Sequence, residues 1–130
     1  MDITKYRYKR FTIAVPTAAT SYSQKFVLDK DVVNVRGVLL TADRSDLLFY
    51  RGSQKIEISG EEIYPEDYES RLLMSGLSVP PDHKYASIAD GQGIPSGNGE
   101  IKILYKDVAN AAAAFAVYNV TIMFDCEIRA

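Results

Sequence analysis

The alternation of apolar and polar residues is clearest near the end of the chain, over residues 118–128. One side of this segment carries Tyr118, Val120, Ile122, Phe124, Cys126 and Ile128. Successive side chains on a β-strand point to opposite faces, so this pattern predicts a long strand with one buried face. It also places Cys126, the only cysteine, in the core. On the opposite face, Met123 stands in a polar row, which suggests a subunit contact there.

Similar patterns predict strands along most of the remaining chain. They are Tyr6 to Val15, Tyr22 to Leu28, Val32 to Thr41, 47–51, 54–59, a short strand at Tyr85 to Ile88, and Glu100 to Lys106. In the first strand the apolar phase changes after Tyr8, which predicts a β-bulge near Lys9 and Arg10 or a strand that passes from one sheet to the other. In the third strand, Arg36 and Gly37 interrupt an apolar run and predict a kink or bulge. Gly52-Ser53 between two apolar runs predicts a hairpin turn.

The middle of the chain departs from this strand pattern. Pro65 followed by Glu66 and Asp67, with Gly76 after an apolar run, predicts one short helix in a connection at about 65–75. Residues 77–99 are rich in Gly, Pro and Ser and predict a long surface loop, a kind of segment that is often functional.

Together these elements predict an all-β protein. Seven or so strands with frequent turns favour an antiparallel β-sandwich of jelly-roll-like form, with a β-barrel as the second choice. A chain of 130 residues fits a single domain over 1–130, with a basic segment at 1–10 and the loop at 77–99.

Composition and charge narrow the partners. The chain is 47% apolar and 25% charged with a formal net charge of −2, which is ordinary for a globular protein and argues against a nucleic-acid partner. One cysteine excludes an intrachain disulfide and a cysteine-based zinc cluster. The first residues lack the apolar run of a signal peptide, and no apolar stretch approaches the ~20 residues of a membrane span, so we expect a protein kept in a cytoplasm.

Residues suited to catalysis are few. His83, the only histidine, lies in a Pro-Pro loop, no GxSxG motif is present, and Cys126 is predicted to be buried. Acidic residues are dense over 57–69, but their spacing matches neither a calcium loop nor the paired carboxylates of a glycosidase. We therefore predict no catalytic residue, cofactor or metal; a small hydrolase using Glu61, Glu62 or His83 is the third choice of function.

Interaction residues are easier to nominate. The basic, tyrosine-interleaved start gives Lys5, Arg7, Lys9 and Arg10 as candidates. Such charges could contact phosphates, protect an edge strand from unwanted pairing, or pair with the acidic 57–69 segment of a neighbouring copy; edge protection is favoured. Exposed tyrosines at Tyr64, Tyr68 or Tyr85 would serve the alternative function of a carbohydrate-binding module, although the chain has no tryptophan.

The overall style of the chain resembles a known group of proteins. Tyrosine-rich strands, a Gly/Pro-rich loop leading into GNGEIKILYKD, and the long final strand YNVTIMFDCEI are similar to small structural proteins of tailed bacteriophage particles, such as capsid decoration, head-fibre or tail components. The resemblance implies a repeated subunit, assembled in the host cytoplasm and bound to other virion proteins. The leading hypothesis is thus a non-enzymatic assembly protein that forms homo-oligomers and docks on a larger particle through its edge strands and the 77–99 loop.

Overall fold

A computed structural model describes residues 4–74, 85–88 and 92–129 of the chain, with side chains from residue 6 onward. Nine strands are present in these ranges: β1 (Thr4–Val15), β2 (Ser21–Val27), β3 (Val32–Ala42), β4 (Gly52–Ile58), β5 (Glu61–Glu69), β6 (Ala86–Ser87), β7 (Ile94–Pro95), β8 (Glu100–Asp107) and β9 (Tyr118–Arg129). One helix, α1 (Ser45–Arg51), precedes β4, and a 3₁₀ turn (Ser70–Leu73) follows β5. The prediction of an all-β protein with one short helix is confirmed.

The strands form two antiparallel sheets. Sheet one has the order β1-β9-β3-β6, with β7 also pairing with β3, and sheet two has the order β2-β8-β4-β5. Each of the first three connections between strands crosses from one sheet to the other, and β9 returns to lie between β1 and β3. This is the strand order of a jelly roll, as predicted.

The core lies between the inner faces of the two sheets. The face of β9 that was predicted to be buried lies in the core. Its buried residues include Val120, Ile122, Phe124 and Cys126. They meet inward residues of β8, including Ile101 and Ile103. At one side of the sandwich, the rings of Phe11 in β1 and Phe26 in β2 stack 4.4 Å apart and join the two sheets.

The predicted bulge in β1 is wrong. Pairing between β1 and β9 runs without a register shift from Thr4 to Val15. The alternation is therefore continuous, and Arg7 and Lys9 share the inward face with Ile13 while the tyrosines point outward. Charged side chains can occupy inward positions here because they lie where Asp29 and Asp31 supply partners.

The predicted helix at 65–75 is only partly correct, because β5 continues to Glu69 and only the 3₁₀ turn Ser70–Leu73 is helical, while the α-helix lies at Ser45–Arg51. There, consecutive leucines, Leu47 and Leu48, are both buried, and the N–H of Gly52 closes the helix by donating to the Leu48 carbonyl. Gly52-Ser53 therefore begins β4 and is not a hairpin turn. Pro65 lies in β5, the last strand of its sheet, inside a bulge where a missing N–H disrupts no regular ladder.

Two other predictions concern β3 and the 77–99 loop. The pairing of β3 with β9 shifts between Val35 and Gly37, which confirms the bulge at Arg36-Gly37. The short strand predicted at Tyr85 to Ile88 is present as β6, while β7 is an additional pairing. Within this loop, residues 77–84, including His83, and residues 89–91 lie outside the described residues.

Candidate functional site

The outer surface of sheet one carries a cluster of tyrosine, arginine and methionine side chains, which we call the tyrosine face. It consists of Tyr6, Tyr8, Arg10, Arg36, Tyr85 and Met123. The register of the strands explains the cluster, because Tyr8 and Gly37 flank Asp125 from opposite sides, while Arg10 and Leu39 flank Met123 in the next row. Tyr6 and Tyr8 are 57% and 62% exposed, which is high for tyrosine.

Tyr85 reaches across the sheet to complete the tyrosine face. Its ring stacks on that of Tyr8, with centroids 5.3 Å apart and planes 24° apart. Gly37 makes this crossing possible, since an added Cβ at that position would lie 3.2 Å from the Cβ of Tyr85. Burial and the nearby Tyr8 and Asp125 raise the pKa of Tyr85 to about 12. The phenol hydroxyl therefore stays neutral at ordinary pH and can donate or accept a hydrogen bond.

Arg36 provides the cationic part of the tyrosine face. Its guanidinium lies 4.2 Å from the centroid of the Tyr6 ring and its Nη2 donates to Asp125 Oδ2 at 2.9 Å. Nε of Arg36 and Oδ1 of Asp125 are buried without a hydrogen-bond partner among the described residues. Met123 is half-buried between its neighbours and is less exposed than its polar row suggested.

The other basic candidates of β1 are engaged within the chain. Arg7 contacts Asp29 and Asp31 at 2.9 Å, and Lys9 contacts Asp29 at 3.1 Å. Hydrogen bonding to Asp31 raises the pKa of Arg7, and hydrogen bonding from Lys9 lowers that of Asp29. β1 ends its sheet among the described residues, which is where inward-pointing charges of this kind discourage strand pairing, and edge protection by Arg7 and Lys9 stays a prediction. The side chain of Lys5 lies outside the described set.

Tyr64 and Tyr68 lie in the opposite sheet from Tyr85. Both are half-buried, their ring centroids are 4.9 Å apart, and both pack against the core. Burial raises the pKa of Tyr64. The three tyrosines predicted to be exposed therefore do not form one platform, because two of them line the inner side of β5.

A buried polar network at one end of the sandwich was not predicted from the sequence. Arg51 donates from Nε and Nη2 to Asp107 at 3.1 and 2.8 Å, and Tyr118 donates to the same carboxylate at 2.7 Å. Tyr105 and Tyr118 share a hydrogen bond of 2.8 Å, and the N–H of Ala19 donates to Asp107. All four named side chains of the network are buried.

The network keeps Asp107 charged. Burial opposes ionisation, but the hydrogen bonds from Arg51, Tyr118 and the Ala19 N–H outweigh it and hold the pKa of Asp107 below its usual value. A sequence signal for this residue existed, because Asp107 continues the inward set of Ile101, Ile103 and Tyr105 at intervals of two.

Above this network an open groove of about 520 Å³ lies between the end of α1 and the end of β5. Phe49 and Tyr50 form one wall, and Asp67, Glu69 and Arg71 contribute to the other. Ser53 lies in the lining as well. None of these residues was nominated from the sequence as a ligand-binding residue, since the helix that presents the two aromatic rings was read as a strand.

Of the side chains considered for catalysis, the thiol is buried and the two carboxylates are exposed. Cys126 is buried, and burial raises the pKa of its thiol to about 11. Glu61 and Glu62 are exposed at the start of β5, with Glu62 4.0 Å from Lys55. Over the described ranges, no group of three or more His, Cys, Asp or Glu side chains is arranged to hold a metal ion.

None of the helices in the described parts of the chain has the length and apolar character needed to cross a membrane. Comparison with protein-family models, with curated proteins and with solved structures finds no match to this chain.

Proposed function

We propose that this protein is a non-enzymatic structural subunit that self-associates through the tyrosine face, as a virion component such as a capsid decoration, head-fibre or tail subunit. The observation that carries this proposal is the make-up of that face. Tyrosine, methionine and arginine are enriched at protein interfaces and lysine is depleted, and the tyrosine face follows this preference. Its two most exposed rings, Tyr6 and Tyr8, are the kind of rigid, amphipathic anchor that dominates binding energy.

The size of the face is suitable for a contact between copies. Three long strands spaced ~4.8 Å apart and up to 12 residues long present about 600 Å². A standard interface buries ~800 Å² on each partner, so the surface loops need to supply only the smaller part of the buried area.

The chemistry of the face favours a second copy as its occupant. Arg10 and Arg36 lie on the same surface as Asp125 and Glu127, so the face carries both signs of charge. Such a surface can pack against an identical copy related by a two-fold axis, so that the arginines of one copy lie opposite the carboxylates of the other. Inward Arg7 and Lys9 disfavour pairing along the β1 edge, which leaves face-to-face packing as the preferred mode.

Two further considerations support the virion setting. Jelly rolls are recurrent in viral capsid domains, which is an analogy at the level of fold. The chain also resembles small structural proteins of bacteriophage particles. A non-catalytic role is supported by the location of the reactive groups, because the Cys126 thiol is buried in the core and Asp107 is engaged by three donors.

Sedimentation velocity over a wide range of protein concentration tests this function. We expect wild-type protein to form dimers or larger species, and Tyr8→Glu to weaken the association by about 10-fold or more, as expected for a buried interface tyrosine. Val27→Glu is the matched control, because Val27 is 64% exposed in sheet two. A wild-type protein that remains monomeric at high concentration, or a Tyr8→Glu variant that associates as strongly as Val27→Glu, would contradict self-association.

Co-purification from phage-infected cells tests the virion setting separately. A tagged copy should be recovered with assembled particles when the tyrosine face is intact. Recovery with no particle protein would overturn the virion assignment and leave the self-association result standing.

A further inference from the structure

We propose that the groove between α1 and β5 is a binding site for a neutral saccharide. Its volume of about 520 Å³ falls within the ~300–1,000 Å³ of typical small-molecule sites. The groove lies against sheet two, so this inference does not depend on the function proposed for the tyrosine face.

The aromatic wall supplies a surface for a sugar ring. Phe49 and Tyr50 are 43% and 47% exposed, and their rings meet edge to face with centroids 4.9 Å apart. Two adjacent, partly exposed aromatic rings beside polar side chains form an apolar patch of the kind that lines ligand-binding grooves. A pyranose has an apolar C–H face that covers such a ring while its hydroxyl groups point to the surroundings.

The polar wall is charged but nearly balanced. Asp67 lies 3.1 Å from the ammonium of Lys106, and Glu69 lies 2.5 Å from Nε of Arg71. A charged ligand would have to displace one of these partners. A hydroxyl group of a ligand can instead donate to the carboxylate lone pairs that the salt bridges leave unused. The wall therefore suits a neutral, hydroxyl-rich ligand.

Ser53 gives an independent indication of a ligand. The residue lines the groove, is only 7% exposed, and its Oγ has no hydrogen-bond partner within the described part of the chain. A buried hydroxyl without a partner costs free energy, and such groups call for an explanation. The Oγ atom itself is closed off from solvent, so a ligand hydroxyl on the floor of the groove supplies the missing partner once the Ser53 side chain rotates toward it.

The backbone of β5 is shaped to present the polar wall. Between the pairs Gln54–Tyr68 and Ile56–Tyr64, β5 has three residues where β4 has one. This bulge holds Asp67 at φ 66°, in the left-handed region. Bulges redirect side chains, and this one turns Asp67 toward Lys106 and the groove.

Saturation-transfer NMR and calorimetric titration with maltotriose, cellotriose and chitotriose test the site. We expect at least one of the three to bind, with Tyr50→Ala weakening the affinity by about 10-fold or more. Tyr8→Ala is the control, because Tyr8 is an even more exposed ring, at 62% against 47% for Tyr50, and lies on the other sheet. This variant should bind the sugar as the wild type does.

Ser53→Ala separates binding from a structural role. Removing a hydroxyl that has no partner should leave the melting temperature unchanged or raise it. The affinity for the sugar should fall several-fold. No binding by any of the three sugars at about 10 mM, ten times a millimolar Kd, would overturn the proposal. Binding that Tyr50→Ala leaves unchanged would overturn it as well.

Discussion

Replacing Asp107 by Asn is the most direct test of the buried network. The substitution keeps the size of the side chain and removes its charge. In the wild type, Asp107 accepts two hydrogen bonds from Arg51, one from Tyr118 and one from the backbone of Ala19. An amide has one acceptor oxygen, and its NH₂ group faces donors where the carboxylate had an acceptor. The variant therefore leaves Arg51 charged, buried and poorly paired.

The expected cost follows from the burial of the pair. The side chains of Arg51 and Asp107 are 5% and 0% exposed, so solvent does not screen their interaction. Removing one partner of a buried ion pair typically costs ~3–5 kcal/mol. The carbonyl of Ala113 still accepts from Arg51 at 3.1 Å, which favours the lower end of this range. At ~4 °C per kcal/mol for a domain of this size, the melting temperature should fall by about 12–16 °C.

The pH dependence gives a second signature. The pKa of Asp107 is lowered in the folded state, so its contribution to stability is present above the unfolded pKa of ~3.9. That contribution is lost as the pH falls through the folded pKa, where the carboxyl becomes neutral in both states. The difference in stability between wild type and Asp107→Asn should therefore be largest near neutral pH and shrink below about pH 4.

Urea denaturation followed by circular dichroism at several pH values measures both effects. Asp46→Asn is the control, because Asp46 is exposed and pairs with Arg44 at 3.0 Å, and its urea midpoint should stay close to that of the wild type. A loss below about 1 kcal/mol for Asp107→Asn, or a loss that does not change with pH, would refute the stabilising role assigned to the network.

Three further predictions concern the core. Cys126 should resist Ellman's reagent in native protein at pH 8 and react fully in denaturant, because its thiol is buried and its pKa is raised to about 11. Gly52→Ala should lower the melting temperature more than Gly60→Ala, since the added Cβ at Gly52 would lie 2.5 Å from the Tyr105 hydroxyl and 2.8 Å from the Leu48 carbonyl oxygen, whereas at Gly60 the Cβ meets nothing within 4 Å and only the strain of the φ of 82° remains; equal losses would contradict this packing. Spectrophotometric titration should show Tyr105 and Tyr118 ionising only on alkaline unfolding, because burial raises both pKa values and stability is lost as the pH rises above ~10.

The fold was predictable from the sequence where one face of a strand is buried. Residues 118–128 and 100–106 alternate cleanly, and the structure buries the predicted face of both. β1 was harder, because tyrosines were assumed to point inward and charges outward. Its true phase depends on Asp29 and Asp31, which lie 20 to 24 residues further along the chain and give Arg7 and Lys9 partners on the inner side. No local pattern contains that information.

The candidate surfaces were predictable only in part. Tyr85 and Arg10 were nominated, but their position on one face depends on the pairing of β1 with β9 and on the crossing of Tyr85 over Gly37. The groove was missed because Leu47 to Arg51 matches a short apolar strand as well as a helical turn. Arg51 and Asp107 lie 56 residues apart in sequence, so only the folded chain brings them together.

The tyrosine face and the groove belong to different sheets, and this separation bears on how the protein could work. The two sheets of a sandwich lie ~10 Å apart, and residues at this separation without shared partners usually contribute additively. A subunit held through sheet one therefore keeps the groove beside sheet two open to a ligand. In that arrangement Tyr8→Glu should change assembly and leave sugar affinity intact, while Tyr50→Ala should do the reverse. Repetition of the subunit in an assembly would then multiply weak individual contacts with a saccharide into a strong attachment, provided the spacing of the copies matches that of the sugars.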